Sequence, residues 1–168
     1  IVWRHFNEEG TIADVYTMKL DGSDRRRLTD FGAMSWAPYF HRSGQYVIFT
    51  ANKFGFANFE LFLADAAGQR EPVRVTFTDG FDGLPVFSPD GERIVFSSNR
   101  GADLDLWTVT RATGAIQRLT DHPGEDWDPA FSPDGRHLVW SSNRSGSFEI
   151  WIAEADGSHP RQLTRDGV

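Results

Sequence analysis

Asp82, Glu125, Asp126 and Asp128 are carboxylates that could gather around a cation or around a basic segment of a partner. They lie in two related stretches, Asp79-Gly80-Phe81-Asp82-Gly83-Leu84-Pro85 and Asp121-His122-Pro123-Gly124-Glu125-Asp126-Trp127-Asp128-Pro129. A third such stretch, from Asp30 to Pro38, carries Trp36 and no acid after Asp30. Trp36 and Trp127 stand two residues before Pro38 and Pro129, where an indole could contact a ligand held by the acids. His122 is the one histidine with acidic company, whereas His5, His41, His137 and His159 are scattered without the spacing of metal ligands. Calcium is the ion such oxygen donors suit, but no twelve-residue calcium loop occurs, so no cofactor is expected and calcium stays open. The competing interpretation is that all these groups are solvated or cap local turns.

A second candidate is Asn99-Arg100-Gly101-Ala102-Asp103-Leu104-Asp105, echoed by the stretches beginning at Asn143-Arg144 and Asn52-Lys53. Asn can cap the turn and the basic residue can pair with a carboxylate, and repetition in every copy points to scaffold duty. The stretch after Lys53 departs from the polar rule with Phe54, Phe56 and Phe59, so Phe54 and Phe56 are candidates for an aromatic contact surface. Catalytic constellations are missing: there is no Gly-x-Ser-x-Gly, no His-Glu-x-x-His, no phosphate loop and no cysteine. A non-catalytic role is therefore expected.

The elements that carry these residues are repeats. Phe87-Ser88-Pro89-Asp90-Gly91 followed by Ile94-Val95-Phe96-Ser97-Ser98-Asn99-Arg100 recurs 44 residues later as Phe131-Ser132-Pro133-Asp134-Gly135 with Leu138-Val139-Trp140-Ser141-Ser142-Asn143-Arg144. A degraded copy runs from Phe40 through His41-Arg42-Ser43-Gly44 to Lys53. The pairs Leu28-Thr29, Val75-Thr76, Leu119-Thr120 and Leu163-Thr164 mark the ends of four units at intervals of 47, 44 and 44 residues. Proline fixes φ at the turn, Asp bonds its own backbone and Gly accepts positive φ, so the chain reverses between the first two strands of each unit. In the strand that follows, Ile94 and Phe96 share one face and Val95 and Ser97 the other, which lets both faces meet a neighbour. Four short strands per unit at this period predict an all-β fold, a β-propeller built of four-stranded antiparallel blades. The boundaries read as a partial blade at 1–32 with three of its four strands, then blades at 33–79, 80–121 and 122–168.

Bulk properties narrow the partners. Length suffices for a hydrophobic core without metal or disulfide, and the absence of cysteine excludes thiol chemistry. A formal net charge of -7 makes the surface repel nucleic acid and anionic lipid. No run of residues is apolar enough to form a transmembrane segment. Fourteen Phe and six Trp without an obvious helical stretch favour packed sheets.

The repeated Phe-Ser-Pro-Asp-Gly, the Ile-Val-Phe-Ser-Ser-Asn-Arg that follows and the closing Arg-Leu-Thr-Asp resemble the WD40-like repeats of TolB type, called PD40 repeats, best at 84–121 and 128–164. The resemblance implies a β-propeller, commonly six-bladed, in a periplasmic or otherwise exported protein. It also implies binding of a peptidoglycan-associated outer-membrane lipoprotein within the Tol system. Similar blades serve prolyl-oligopeptidase-like enzymes and oligogalacturonate lyases. The leading expectation is a non-catalytic scaffold that binds a protein or peptide. The alternatives are a propeller that gates a hydrolase domain outside these residues, or a carbohydrate-binding or carbohydrate-cleaving propeller that uses a metal. About four blades, the first incomplete, leave three expectations: part of a larger ring, a compact four-bladed ring, or a ring completed by self-association.

Overall fold

The computed structural model describes residues 1–165, and every described element is a strand, a turn or a bend. Blade 1 is β1 (Val2–Phe6), β2 (Ala13–Thr17) and β3 (Arg26–Arg27), which correspond to the second, third and fourth strands of the other blades and are named so below. Blade 2 is β4 (Ser35–Phe40), β5 (Tyr46–Ala51), β6 (Glu60–Asp65) and β7 (Val73–Arg74). Blade 3 is β8 (Asp82–Phe87), β9 (Arg93–Ser98), β10 (Asp105–Thr110) and β11 (Ile116–Arg118), and blade 4 is β12 (Asp126–Phe131), β13 (His137–Ser142), β14 (Glu149–Glu154) and β15 (Arg161–Gln162). Each blade is a meander in which sequential strands are neighbours, giving one three-stranded and three four-stranded sheets. This is the all-β, four-stranded blade pattern that the repeat predicts. The chain forms two compact units, Ile1–Pro85 and a second beginning at Val86, so the division falls inside β8.

The Ser-Pro-Asp-Gly turn works as its chemistry dictates. Gly91 sits at φ +77° and donates to the Ser88 carbonyl at 2.8 Å, while the Ser88 hydroxyl accepts from Arg93 N at 3.0 Å. Ser132, Gly135 and His137 repeat these contacts at 2.9 and 3.0 Å. In the degraded copy Gly44 still donates to His41 O at 2.8 Å, and the His41 ring takes the place of the serine hydroxyl by bonding Ser43 Oγ at 2.8 Å.

Alternation then fills the core. In the first unit Val15, Val47, Phe49, Ala51 and Phe62 form a buried cluster with Val2, Phe31 and Phe40 packed on it. In the second, Val95, Leu106, Leu138 and Trp140 do the same with Val86, Phe131 and Trp151. The middle strands are apolar on both faces: β5 is buried from Val47 to Ala51 and β9 from Ile94 to Ser98. A strand covered on both faces reads as a near-continuous apolar run, which is why the alternation there is muted.

Successive blades are joined by a parallel bridge. Ala13 pairs with Met34, and Phe59 with Phe81, so the link into each blade runs beside the start of the preceding blade's third strand. Asp126 N donates to Leu104 O at 2.8 Å in the second unit, at the same point of the repeat. These bridges fix where each link enters its first strand, and hence where the sequence-predicted site residues stand.

Candidate functional site

The links differ in charge but share a frame. Asn52 accepts from Met34 N at 2.8 Å through Oδ1, and its own N–H donates to Met34 O at 3.1 Å. Asn143 clamps the later link in the same way, accepting from Glu125 N at 2.7 Å and donating to Glu125 O at 3.3 Å. Past the clamp, the first strands of blades 2 and 4 bulge, with register shifts between Trp36 and Tyr39 and between Trp127 and Ala130. The residue before each proline lies in the left-handed region: Ala37 at φ +49°, Leu84 at +57° and Asp128 at +53°.

Within this frame the predicted residues separate into two groups. Glu125 and Asp128 are exposed, Trp127 is half-buried, and the Trp127 indole donates to Glu125 Oε2 at 3.1 Å. His122, also exposed, bonds Pro123 O at 2.8 Å. Asp126 and Asp82 are each 1% exposed and do not face solvent. The Asp126 carboxylate is consumed inside its blade, by Arg144 at 2.7 Å and by the Trp140 indole N–H at 3.1 Å. It is a buried scaffold anion rather than one open to a cation or partner, because Arg144 is drawn onto it by stacking on Trp140 and Trp151. Trp36 packs edge-on against Phe59 at 6.0 Å and tilted against Phe81 at 6.2 Å, which ties the first unit's link to its strand start. Phe54 and Phe56 lie together on one loop, 56% and 89% exposed.

A further set of charged residues escapes motif reading, since it is distributed one per strand. Asp14, Glu60, Asp105 and Glu149 begin or nearly begin the third strand of the four blades, and all four are buried. Each receives the hydroxyl of the threonine that ends its unit: Thr29 to Asp14 at 2.7 Å, Thr120 to Asp105 at 3.4 Å, and likewise Thr76 to Glu60 and Thr164 to Glu149. The same hydroxyl accepts from the next backbone N–H of the third strand, at Val15, Leu61, Leu106 and Ile150, over 2.9 to 3.0 Å. An arginine of the fourth strand completes the lock in three blades: Arg27 on Asp14 at 2.7 Å, Arg74 on Glu60 and Arg118 on Asp105. In blade 4 Gln162 stands at that position and donates to Thr164 O at 2.8 Å. The signal that exposes this set is alignment of all four units rather than any local pattern. Buried carboxylates persist only when paired or hydrogen-bonded, so these four acids, three with an arginine and all with a threonine hydroxyl, are scaffold groups.

Asp105 has a displaced titration. Burial pushes its carboxyl up to about 6 against the pull of Arg118, with Asp103 and Asp126 adding repulsion. The folded state thus holds a proton that the unfolded chain releases near the ordinary aspartate value of 3.8, and the associated stability is full below that value and lost as pH rises through about 6. Wild type is expected to lose urea midpoint relative to Asp105→Asn between pH 4 and pH 6.5, with the Asp105 carboxyl carbon titrating near 6 by NMR. Parallel midpoints for the two proteins would contradict this.

Among the described residues no three His, Asp or Glu side chains converge in a way that could hold a metal ion. A recess of about 680 Å³ opens between blades 1 and 2, lined by Lys19, Asp24, Arg26, Tyr46, Arg70 and Val73. Asp24 is already gripped there by Arg26 at 2.8 and 2.9 Å, and nothing in its walls pairs a nucleophile with a base.

Comparison with known proteins now bears on the fold. The Tol-Pal system protein TolB of Francisella tularensis is 35% identical over 66 residues, which cover 39% of this chain and 15% of that protein. The crystal structure of TolB from Acinetobacter baumannii superposes with a TM-score of 0.84 at 25% identity, over 97% of this chain and 40% of that one. A puromycin-hydrolyzing peptidase of Mycobacterium tuberculosis shares the fold alone, at 13% identity and a TM-score of 0.71, over 98% of this chain and 29% of that one. The chain thus spans less than half the length of each of these relatives. The family model described as the TolB beta propeller domain matches residues 57–168, and the chain belongs to this PD40 family.

Proposed function

We propose that this chain acts as a non-catalytic scaffold that binds a protein or peptide, in an exported, envelope-facing role of the Tol-system kind. The observation that carries it is the contrast between two sets of acids. Those that repeat from blade to blade are buried in locks or ion pairs, whereas Glu125 and Asp128 stand exposed beside the half-buried Trp127 on a clamped, bulged link. A rigid aromatic flanked by carboxylates is the composition of an interaction hot spot for a partner with a basic or polar rim. Family membership supports a protein partner, and the name of the Francisella relative places that protein in the Tol-Pal system.

The test is calorimetric titration of the chain with the soluble domain of a peptidoglycan-associated outer-membrane lipoprotein. Trp127→Ala combined with Asp128→Asn is expected to weaken binding at least tenfold, about 1.4 kcal/mol, while the chain stays folded by circular dichroism at the titration temperature. Asp30→Asn, exposed on another blade, should leave affinity unaltered. Absence of binding, or equal binding by the double variant, would remove this function from this surface.

A further inference from the structure

Blade 2 lacks acids that its sister blades place around the same arginine. In blade 3, Arg118 is surrounded by Asp105, by Asp103 at 3.3 Å and by Asp121 at 2.8 Å. In blade 1, Arg27 has Asp14 and the exposed Asp30 at 2.6 Å. Among the described residues, Arg74 of blade 2 keeps only the buried acid, Glu60. Asn58 stands at the position of Asp103, two residues before the lock acid, and Phe77 at the position of Asp30 and Asp121, directly after the lock threonine. Phe54 replaces Gly101 at the other side of the guanidinium. The result is a cation held between two rings, 4.7 Å from the centre of Phe54 and 4.8 Å from that of Phe77.

The rings are not buried by this arrangement. Phe54, Phe56 and Phe77 remain 56%, 89% and 73% exposed. Large apolar side chains clustered on one surface, rather than scattered, mark a contact site. Arg74 is fixed beneath them, since its Nε donates to Thr76 O at 2.7 Å and Nη2 to Glu60. Its Nη1 has no hydrogen bond among the described residues, and the Arg118 Nη1 is the atom that Asp121 takes in blade 3.

From this we infer that Phe54, Phe56, Phe77 and Arg74 form a second interaction surface, and that its partner is a protein segment in which an acidic residue adjoins an aromatic or aliphatic one. The partner's carboxylate takes the place on Arg74 that Asp121 occupies on Arg118, and its apolar neighbour covers the rings. Charge selects this occupant over a basic or neutral one, because the patch is short of the one or two carboxylates its sisters have. The surface lies in the first unit, and its occupancy does not depend on the Trp127 link.

The probe is the synthetic peptide Gly-Ser-Trp-Asp-Gly-Ser, titrated into the ¹⁵N-labelled chain and followed by NMR up to millimolar concentration. Saturable shifts are expected at residues 53–60 and 74–77 and at the Arg74 Nε–H. Replacing the peptide's Asp by Asn should weaken binding at least fivefold. Phe77→Asp restores the sister-blade ion pair and should weaken it at least tenfold, as should Phe56→Ala, while Trp127→Ala/Asp128→Asn leaves it unchanged. Equal binding of the Asp and Asn peptides, wild-type binding by Phe77→Asp, or no saturable shift in the patch would overturn the inference. So would concentration-dependent self-association abolished by Phe56→Ala in place of peptide binding, which would make a second copy of the chain the occupant.

Discussion

Gly157→Ala is expected to lower stability by about 3 to 5 kcal/mol, seen as a fall in urea midpoint with little change in slope. Gly157 closes the turn between β14 and β15 at φ +86°, where an L side chain is strained by about 1 to 2 kcal/mol. Space forbids the substitution as well, because an added Cβ would lie 2.2 Å from Leu119 O and 3.0 Å from Leu119 C. The carbonyl cannot retreat freely: Leu119 N is bonded to Leu106 O at 2.8 Å, and the next residue is the lock threonine of blade 3. Gly22, in the equivalent turn of blade 1, supplies the control. It has a similar φ of +82° with nothing within 4 Å of the added Cβ, so Gly22→Ala should cost only the conformational part, about 1 to 2 kcal/mol. Equal losses for the two variants would show that the close approach to Leu119 carries no energy.

The second large effect is expected at Asp126. Asp126→Ala leaves the Arg144 guanidinium, 7% exposed, without its counter-ion and the buried Trp140 indole N–H without its acceptor. Removing one member of a buried pair costs on the order of 3 to 5 kcal/mol, whereas exchanging both members for apolar groups is often neutral. Asp126→Leu with Arg144→Met should therefore recover most of the loss, and a double-mutant cycle in urea gives the coupling. If Asp126→Ala melts like wild type, the carboxylate is not the counter-ion of Arg144. The same experiment separates the two possible roles of this acid, since a partner contact would alter binding without altering the melt.

Much of the fold is legible in the sequence because its determinants are local. Ser88-Pro89-Asp90-Gly91 encodes a turn within four residues, and the 44-residue recurrence counts the units without knowledge of any contact. The degraded copy at His41 is still recognisable since Gly44 keeps the demand for positive φ. What is not legible depends on pairing across strands. Asp82 and Asp126 look like exposed loop acids, because they follow glycine-containing links, yet the bridge at Phe81 and the reach of Arg144 draw them inside. The lock of Glu60, Thr76 and Arg74 spans sixteen residues and three strand positions, so no window along the chain contains it as a motif. Phe54 and Phe56, by contrast, stand out in sequence as breaks in a polar rule and are found exposed, since a single large residue in a loop has nothing local to bury it.

The fourth strands are only two or three residues long, at Arg26–Arg27, Val73–Arg74, Ile116–Arg118 and Arg161–Gln162. Ladder hydrogen bonds alone would hold such strands poorly, and the threonine hydroxyl supplies the missing tie by bonding both the third-strand amide and the buried acid. A strand that is pinned by side chains can afford to be short, and a short outer strand exposes few unpaired amides and carbonyls. The outer edges are thus poor templates for a foreign strand, and the proline just before β7 and β15 blunts them further. The locks that hold each blade together are in this way also a protection against aggregation at its outer side, where they leave only a two- or three-residue strand to extend.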